Sequence, residues 1–165
     1  MTFKLSQQLD NVKNPGLFFD IYNVYVKDNC SRFPRSVLEL LENENWYGGS
    51  ASNAPYYADL ESFIMSEPGT ENASVKLKLV KRAYVAQPFE IEIVYKGVFK
   101  LDIPNEDFIS VRSLTWRYEQ FLFYDAYKSH KIDCQMFMHQ IEWVAGKVWS
   151  ICARDIEVSW KALGS

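Results

Sequence analysis

Cysteine is scarce in this chain. Cys30, Cys134 and Cys152 are the only three among 165 residues, an odd number with no Cys-x-x-Cys spacing. That pattern supports neither a disulfide framework nor a zinc knuckle. Long apolar runs are lacking too: no stretch of about 18 apolar residues is present to form a transmembrane helix. The opening Met1-Thr-Phe-Lys-Leu-Ser-Gln-Gln8 lacks the apolar core of a signal peptide, so a cytoplasmic location is expected. Gly48-Gly49 is followed by no Lys-Ser/Thr and is not a phosphate loop. Gly-x-Ser-x-Gly, Rossmann, Walker and zinc-ligand patterns are missing as well, so no cofactor and no metal are expected.

A further gap concerns charge of one sign. Between Arg35 and Lys76 there is no lysine or arginine, yet that interval holds Glu39, Glu42, Glu44, Asp59, Glu61, Glu67 and Glu71. From residue 74 onward the balance reverses, with 13 basic residues against 11 acidic, or +2. The whole chain sums to only −3, so the asymmetry speaks to partners rather than to fold. Direct nucleic-acid binding is not expected, since it depends on cations that neutralise phosphates.

What is present is apolar and aromatic residue in abundance, 48% and 16% of the chain. At this length a chain buries roughly two-thirds of its unfolded surface, and neither a repeat nor a low-complexity linker divides it. Residues 1–165 therefore read as a single α+β domain, with an antiparallel sheet of about five to seven strands and two to four helices mainly on one face. The interval from Leu114 to Trp160 carries four of the five tryptophans and both histidines. Within it, Phe137 to Cys152 reads as a hairpin turning at Ala145-Gly146. A two-residue turn there places Phe137, His139, Ile141 and Trp143 on one face with Val148, Ser150 and Cys152. Met138, Gln140, Glu142, Trp149 and Ile151 fall on the other.

Along the chain, Leu5, Leu9 and Val12 predict a short helix that Asn14-Pro15-Gly16 ends. Leu17 to Lys27, rich in β-branched and aromatic residues, predicts a strand. Pro34 to about Glu44 predicts a helix with Val37, Leu40 and Leu41 inward, and Pro55 to about Met65 a second. Val75 to Lys81 alternates strictly and predicts a strand. Phe89 to Ile103 predicts a hairpin turning at Lys96-Gly97. Val111 to Lys128 reads as a helix from Leu114, Tyr118, Phe121 and Asp125, while Trp116, Tyr118 and Gln120 equally fit the alternation of a strand; Ile156, Val158 and Trp160 read as a last strand.

The candidate chemistry is thin. His139 and Glu142 form His-x-x-Glu, but on a strand a separation of three puts them on opposite faces. His139 facing Cys152 across the hairpin resembles a nucleophile and its base, on a face that should be buried. Asp125, His130 and Asp133 cluster around a turn, and Cys30 lies near Arg32 and Arg35. The residue types fit a binding protein better. Rigid loop aromatics beside carboxylates have the composition of a protein interface, the rings giving affinity and the charge giving rate. The expected function is a stoichiometric inhibitor, of the general type of immunity proteins that neutralise toxin nucleases. Its expected contact set for a basic protein partner is Glu39, Glu42, Glu44, Trp46, Tyr47, Tyr56, Tyr57, Asp59 and Glu61. Two alternatives stand beside it. One is a small-molecule-binding domain or hydrolase, with a pocket lined by Trp116, Tyr118, Trp143 and His139. The other is a structural subunit exposing Met138, Gln140, Trp149 and Ile151.

Overall fold

The computed structural model describes residues 15–43, 46, 54–108, 114–123, 136–144 and 146–164. Two α-helices, α1 (Pro15–Asp28) and α2 (Arg35–Leu41), precede eight strands among those residues. In order the strands are β1 (Asp59–Ser66), β2 (Ser74–Lys81), β3 (Phe89–Lys96), β4 (Lys100–Asp102), β5 (Trp116–Phe123), β6 (Phe137–Trp143), β7 (Val148–Ala153) and β8 (Asp155–Ala162). They form two four-stranded antiparallel sheets, ordered β1-β2-β3-β8 and β4-β7-β6-β5. The α+β reading holds, but one sheet of five to seven strands becomes two sheets of four.

The sheets are joined where two strands cross between them. β3 runs on into β4 through a bend at Gly97, and β7 runs on into β8 through Arg154. Arg154 N–H bonds Lys96 O at 3.1 Å and Phe99 N–H bonds Cys152 O at 3.0 Å, so the paired ribbon continues around the corner. Gly97 has φ +64, and a Cβ there would lie 3.1 Å from the Arg154 side chain; both facts require glycine. The expected Phe89–Ile103 hairpin is therefore corrected: the chain bends at Gly97 rather than folding back, and β4 pairs with β7. At another corner Trp116 N–H bonds Ala58 O and Leu60 N–H bonds Leu114 O, both at 2.8 Å. Asp59 and Thr115 bridge there, bringing the start of β1 onto the start of β5.

Two segments read as helical are strands, and each carries a bulge. The pairing of β1 slips between Leu60 and Ser62, and that of β5 between Trp116 and Tyr118. A bulge puts an extra residue in the strand, so Leu60 and Phe63, three apart, share a face of β1 and carry the spacing of a helix. In β5 the period-two alternation from Trp116 prevails over the helical spacing of Leu114, Tyr118 and Phe121, because the strand pairs with β6. The reverse holds at residues 15–28. There the chain is helical from Pro15 to Asp28 rather than extended, and Tyr22, Tyr25 and Val26 face inward while Asn23, Val24 and Lys27 face out. The Tyr22 hydroxyl donates to Phe121 O at 2.9 Å and accepts the Phe121 N–H at 2.8 Å. Tyr25 accepts the Phe123 N–H at 3.3 Å. Helix α1 thus satisfies backbone groups along β5, the last strand of its sheet, which would otherwise offer an open edge.

The Gly146 hairpin exists, with a different register. Gly146 N–H bonds Trp143 O at 2.8 Å and Trp143 N–H bonds Lys147 O at 2.9 Å. Gly146 has φ +81, so the loop has three residues and ends in a left-handed glycine. One more loop residue than expected moves every side chain of β7 to the opposite face. His139 stands opposite Ile151 and Ile141 opposite Trp149. Trp149 and Ile151 are 0% exposed, which corrects the exposed face drawn for them. Residues of both sheets and of α2 form one core cluster, including Phe33, Val37, Leu77, Ile93, Phe121, Trp143 and Trp149. The strands Val75–Lys81 and 156–160 and the helix after Pro34 lie where the sequence put them. The expected helix at residues 5–12 falls outside the described residues.

Candidate functional site

Polar side chains form a connected chain through this core. Tyr95 in β3, His139 in β6 and Glu119 in β5 form a chain across the two sheets. Tyr95 Oη lies 2.6 Å from His139 Nδ1, and His139 Nε2 lies 2.7 Å from Glu119 Oε2. Trp46 Nε1 donates to the other carboxylate oxygen of Glu119 at 3.0 Å. A carboxylate accepts only, so with Glu119 ionised Nε2 carries the imidazole proton and Nδ1 accepts from the tyrosine. That tautomer is assigned from the partners. Burial, with the Glu119 charge second, pushes the Tyr95 pKa well above 10.0, so its proton is retained. Phe121 stacks on the imidazole with ring centroids 4.1 Å apart, and His139 is 0% exposed. Both ring nitrogens are thus occupied and one face is covered. This resembles an acid–base triad in residue type, but it serves to lock the two sheets together.

The other chemical candidates separate. His139 and Cys152 lie on opposite faces of the hairpin, so the nucleophile–base pair is not made. Burial raises the Cys152 thiol to about 11. Asp107, in a 3-10 turn at Asn105–Phe108, is 0% exposed and accepts from Trp149 Nε1 at 2.8 Å and from Lys147 Nζ. It is a structural pair at the hairpin end. Asp125, His130, Asp133 and Cys134 lie outside the described residues. Among the described residues no group of three or more His, Cys, Asp or Glu is placed to hold a metal, and no helix is long and apolar enough to cross a membrane.

The expected contact residues divide. Trp46 is 2% exposed and belongs to the core, so it is corrected from surface anchor to buried hydrogen-bond donor. Glu44 and Tyr47 lie outside the described residues. Glu39 and Glu42 are exposed on and just after α2, which packs beside β8. Asp59 and Glu61 are on β1, at the other end of the same sheet. Three strand spacings, about 14 Å along the sheet, separate these two pairs of acids. The acidic stretch of sequence is therefore two patches, not one face.

Tyr56, Tyr57, Asp59 and Glu61 follow one another through a turn into β1, and residues not singled out in the sequence, Tyr84 and Arg82 among them, reach them there. The turn Pro55–Ala58 is closed by Ala58 N–H to Pro55 O at 2.8 Å, and Tyr57 N–H bonds Trp116 O at 2.9 Å. Tyr57 has φ +64 at the third position of that turn, and Tyr84 in the next loop has φ +59. Both positions favour glycine or asparagine over a bulky side chain. The rings form a row, with centroids 4.0 Å apart for Tyr56–Tyr57 and 5.2 Å for Tyr57–Tyr84. Tyr84 is 80% exposed. Arg82 reaches Glu61 at 3.5 Å, and Thr115 donates to Asp59 at 2.6 Å. Below the row, Lys81 is nearly buried and donates to Ala54 O at 2.7 Å, which pins the loop; burial lowers its pKa. The signal for Tyr84 was legible: a large aromatic stands in the short interval Arg82–Pro88 between two strands.

Comparison with family models, curated proteins and solved structures gives no match.

Proposed function

We propose that this chain is a protein-binding module, not a catalyst, and that the row Tyr56, Tyr57 and Tyr84 with Asp59 and Glu61 beside it is its contact surface. The observation that carries the reading is the backbone. A bulky residue held at positive φ costs about 1–3 kcal/mol, and here two of them present tyrosine rings to solvent. Folding gains little from a ring as exposed as Tyr84, so the strain is better explained by contact with another molecule. Tyrosine suits that role, because it offers large contact area with few rotatable bonds. Carboxylates at the rim favour a cationic partner, through attraction of its charge and stacking of lysine or arginine on the rings. A stoichiometric inhibitor of a basic protein, of the immunity-protein type, combines these features.

The test is recovery of the partner from the native host on immobilised protein, followed by binding kinetics at several salt concentrations. Tyr56→Ala and Tyr84→Ala should each raise the dissociation rate, by about 2 kcal/mol or more in affinity where the ring is an anchor. The association rate should fall as salt rises. Full affinity in both tyrosine variants would overturn the assignment.

A further inference from the structure

A second surface carries an inference of its own. β8 ends its sheet, and among the described residues it pairs on one side only, with β3. Leu163 N–H bonds Pro88 O at 3.0 Å, just beyond the Phe89–Ala162 pair. Antiparallel alternation then turns the backbone groups of Ile156 and Val158 away from β3. Ile156 N–H shows this directly, reaching Ser36 Oγ of α2 at 3.4 Å. Between that edge and α2 lies a groove of about 350 Å³. Its floor is apolar, from Leu40, Val158 and Trp160, and its rim is acidic, from Glu39, Asp155 and Glu157. Glu42 adds a fourth carboxylate just past the helix end. Arg35 pairs with Glu39 at 2.7 Å and Lys96 with Glu157 at 2.8 Å, but among the described residues neither cation lines the groove. The described residues of the lining thus carry three carboxylates and no lysine or arginine.

We infer that this groove receives an extended, basic segment of a partner protein, laid along β8 as an added strand. An added strand takes main-chain hydrogen bonds from the edge, and its alternate side chains fall toward the groove. Lysine and arginine fit there in both parts: the methylene stem lies on an apolar floor while the charged end reaches a carboxylate. A chain carrying a cation at every second position would meet both features at once. The inference rests on the basic-partner part of the reading above, yet it uses different residues, on a different element, from the tyrosine row.

The experiment uses a defined probe, an acetylated and amidated octapeptide alternating Lys and Val, titrated into isotope-labelled full-length protein. The expected result is saturable binding, with amide shifts concentrated at residues 36–42 and 155–160. An octapeptide alternating Glu and Val should bind at least about tenfold more weakly. Glu39→Lys with Glu157→Lys, both on exposed side chains, should lower the Lys-Val affinity about tenfold, whereas Tyr84→Ala should leave it unchanged. Absence of saturation at millimolar peptide, equal binding of the acidic peptide, or shifts centred away from β8 would each overturn the groove assignment. The tyrosine row is read separately, by the native partner and Tyr84→Ala, so either proposal can fail while the other stands.

Discussion

Aromatic and ionisable side chains meet in two regions of this molecule, to opposite ends. In the interior, Tyr95, His139, Glu119 and Trp46 lie at 0–8% exposure, and each donates or accepts at 3.0 Å or less. At the surface the rings of Tyr56, Tyr57 and Tyr84 meet in a row at tilted angles, two of them on backbone at positive φ. The interior set is held by what surrounds it, since an unmet buried polar group is costly. The surface set stays in place although its own conformation is unfavourable. Composition alone does not separate the two. Backbone strain and the fate of each polar atom do: the first region is satisfied inside the core, and the second carries the strain on which the proposed contact surface rests.

Substitutions can sharpen that contrast, beginning with the largest effect. Trp143→Ala and Trp149→Ala should each cost about 3–5 kcal/mol in urea melts, the range for large buried aromatics. Trp149→Phe should cost more than Trp143→Phe, because it also strips Asp107 of a donor; the opposite order would break the account of the hairpin end. His139→Leu should follow at about 2–4 kcal/mol, since it leaves the Tyr95 hydroxyl and Glu119 carboxylate buried with a partner lost. Adding Glu119→Leu to it should then cost less than the two changes summed. Tyr22→Phe should cost about 1–3 kcal/mol, because both backbone groups of Phe121 lose their partner on a buried edge, whereas Tyr84→Phe should leave the melt unchanged.

Alkaline pH probes the interior by a separate route. Cys152 titrates near 11 in the folded chain, raised from 9.0 by burial. The unfolded thiol ionises first, so the stability it contributes is present below pH 9 and falls as pH rises from about 9 to about 11. Cys152→Ala should flatten the slope over that window in denaturant melts. The part that remains belongs to the other groups raised in the same sense, Tyr95 and Tyr25 by burial and Lys96 by its bond to Glu157.

How much of this was legible depended on whether local pattern and pairing agreed. The strict alternation of Val75–Lys81 and the Pro34 helix start agree with their surroundings, and both were readable. At β1 a bulge set Leu60 and Phe63 three apart on one face, so a strand read as a helix; at β5 two periodicities competed in the sequence, and pairing with β6 decided for the strand. In the β6–β7 hairpin one extra loop residue moved Trp149 from the exposed face to the core, though every strand residue was correctly placed in a strand. Trp46 looked like a loop anchor because its acceptor, Glu119, lies 73 positions away. Tyr56, Tyr57, Asp59 and Glu61 were found because they are neighbours in sequence. Tyr84 joins them through sheet pairing alone, and the separation of Glu39 and Glu42 from Asp59 and Glu61 follows from strand order.

The measurement that bears most directly on the contrast is Tyr84→Gly, with stability and partner affinity taken on the same preparation. Glycine accepts φ +59 without strain, and little burial is lost with so exposed a ring. The urea midpoint should therefore stay level or rise, while affinity for the native partner falls about tenfold or more. A lowered midpoint with undiminished affinity would show that the tyrosine row serves the fold, and would contradict its assignment as the contact surface.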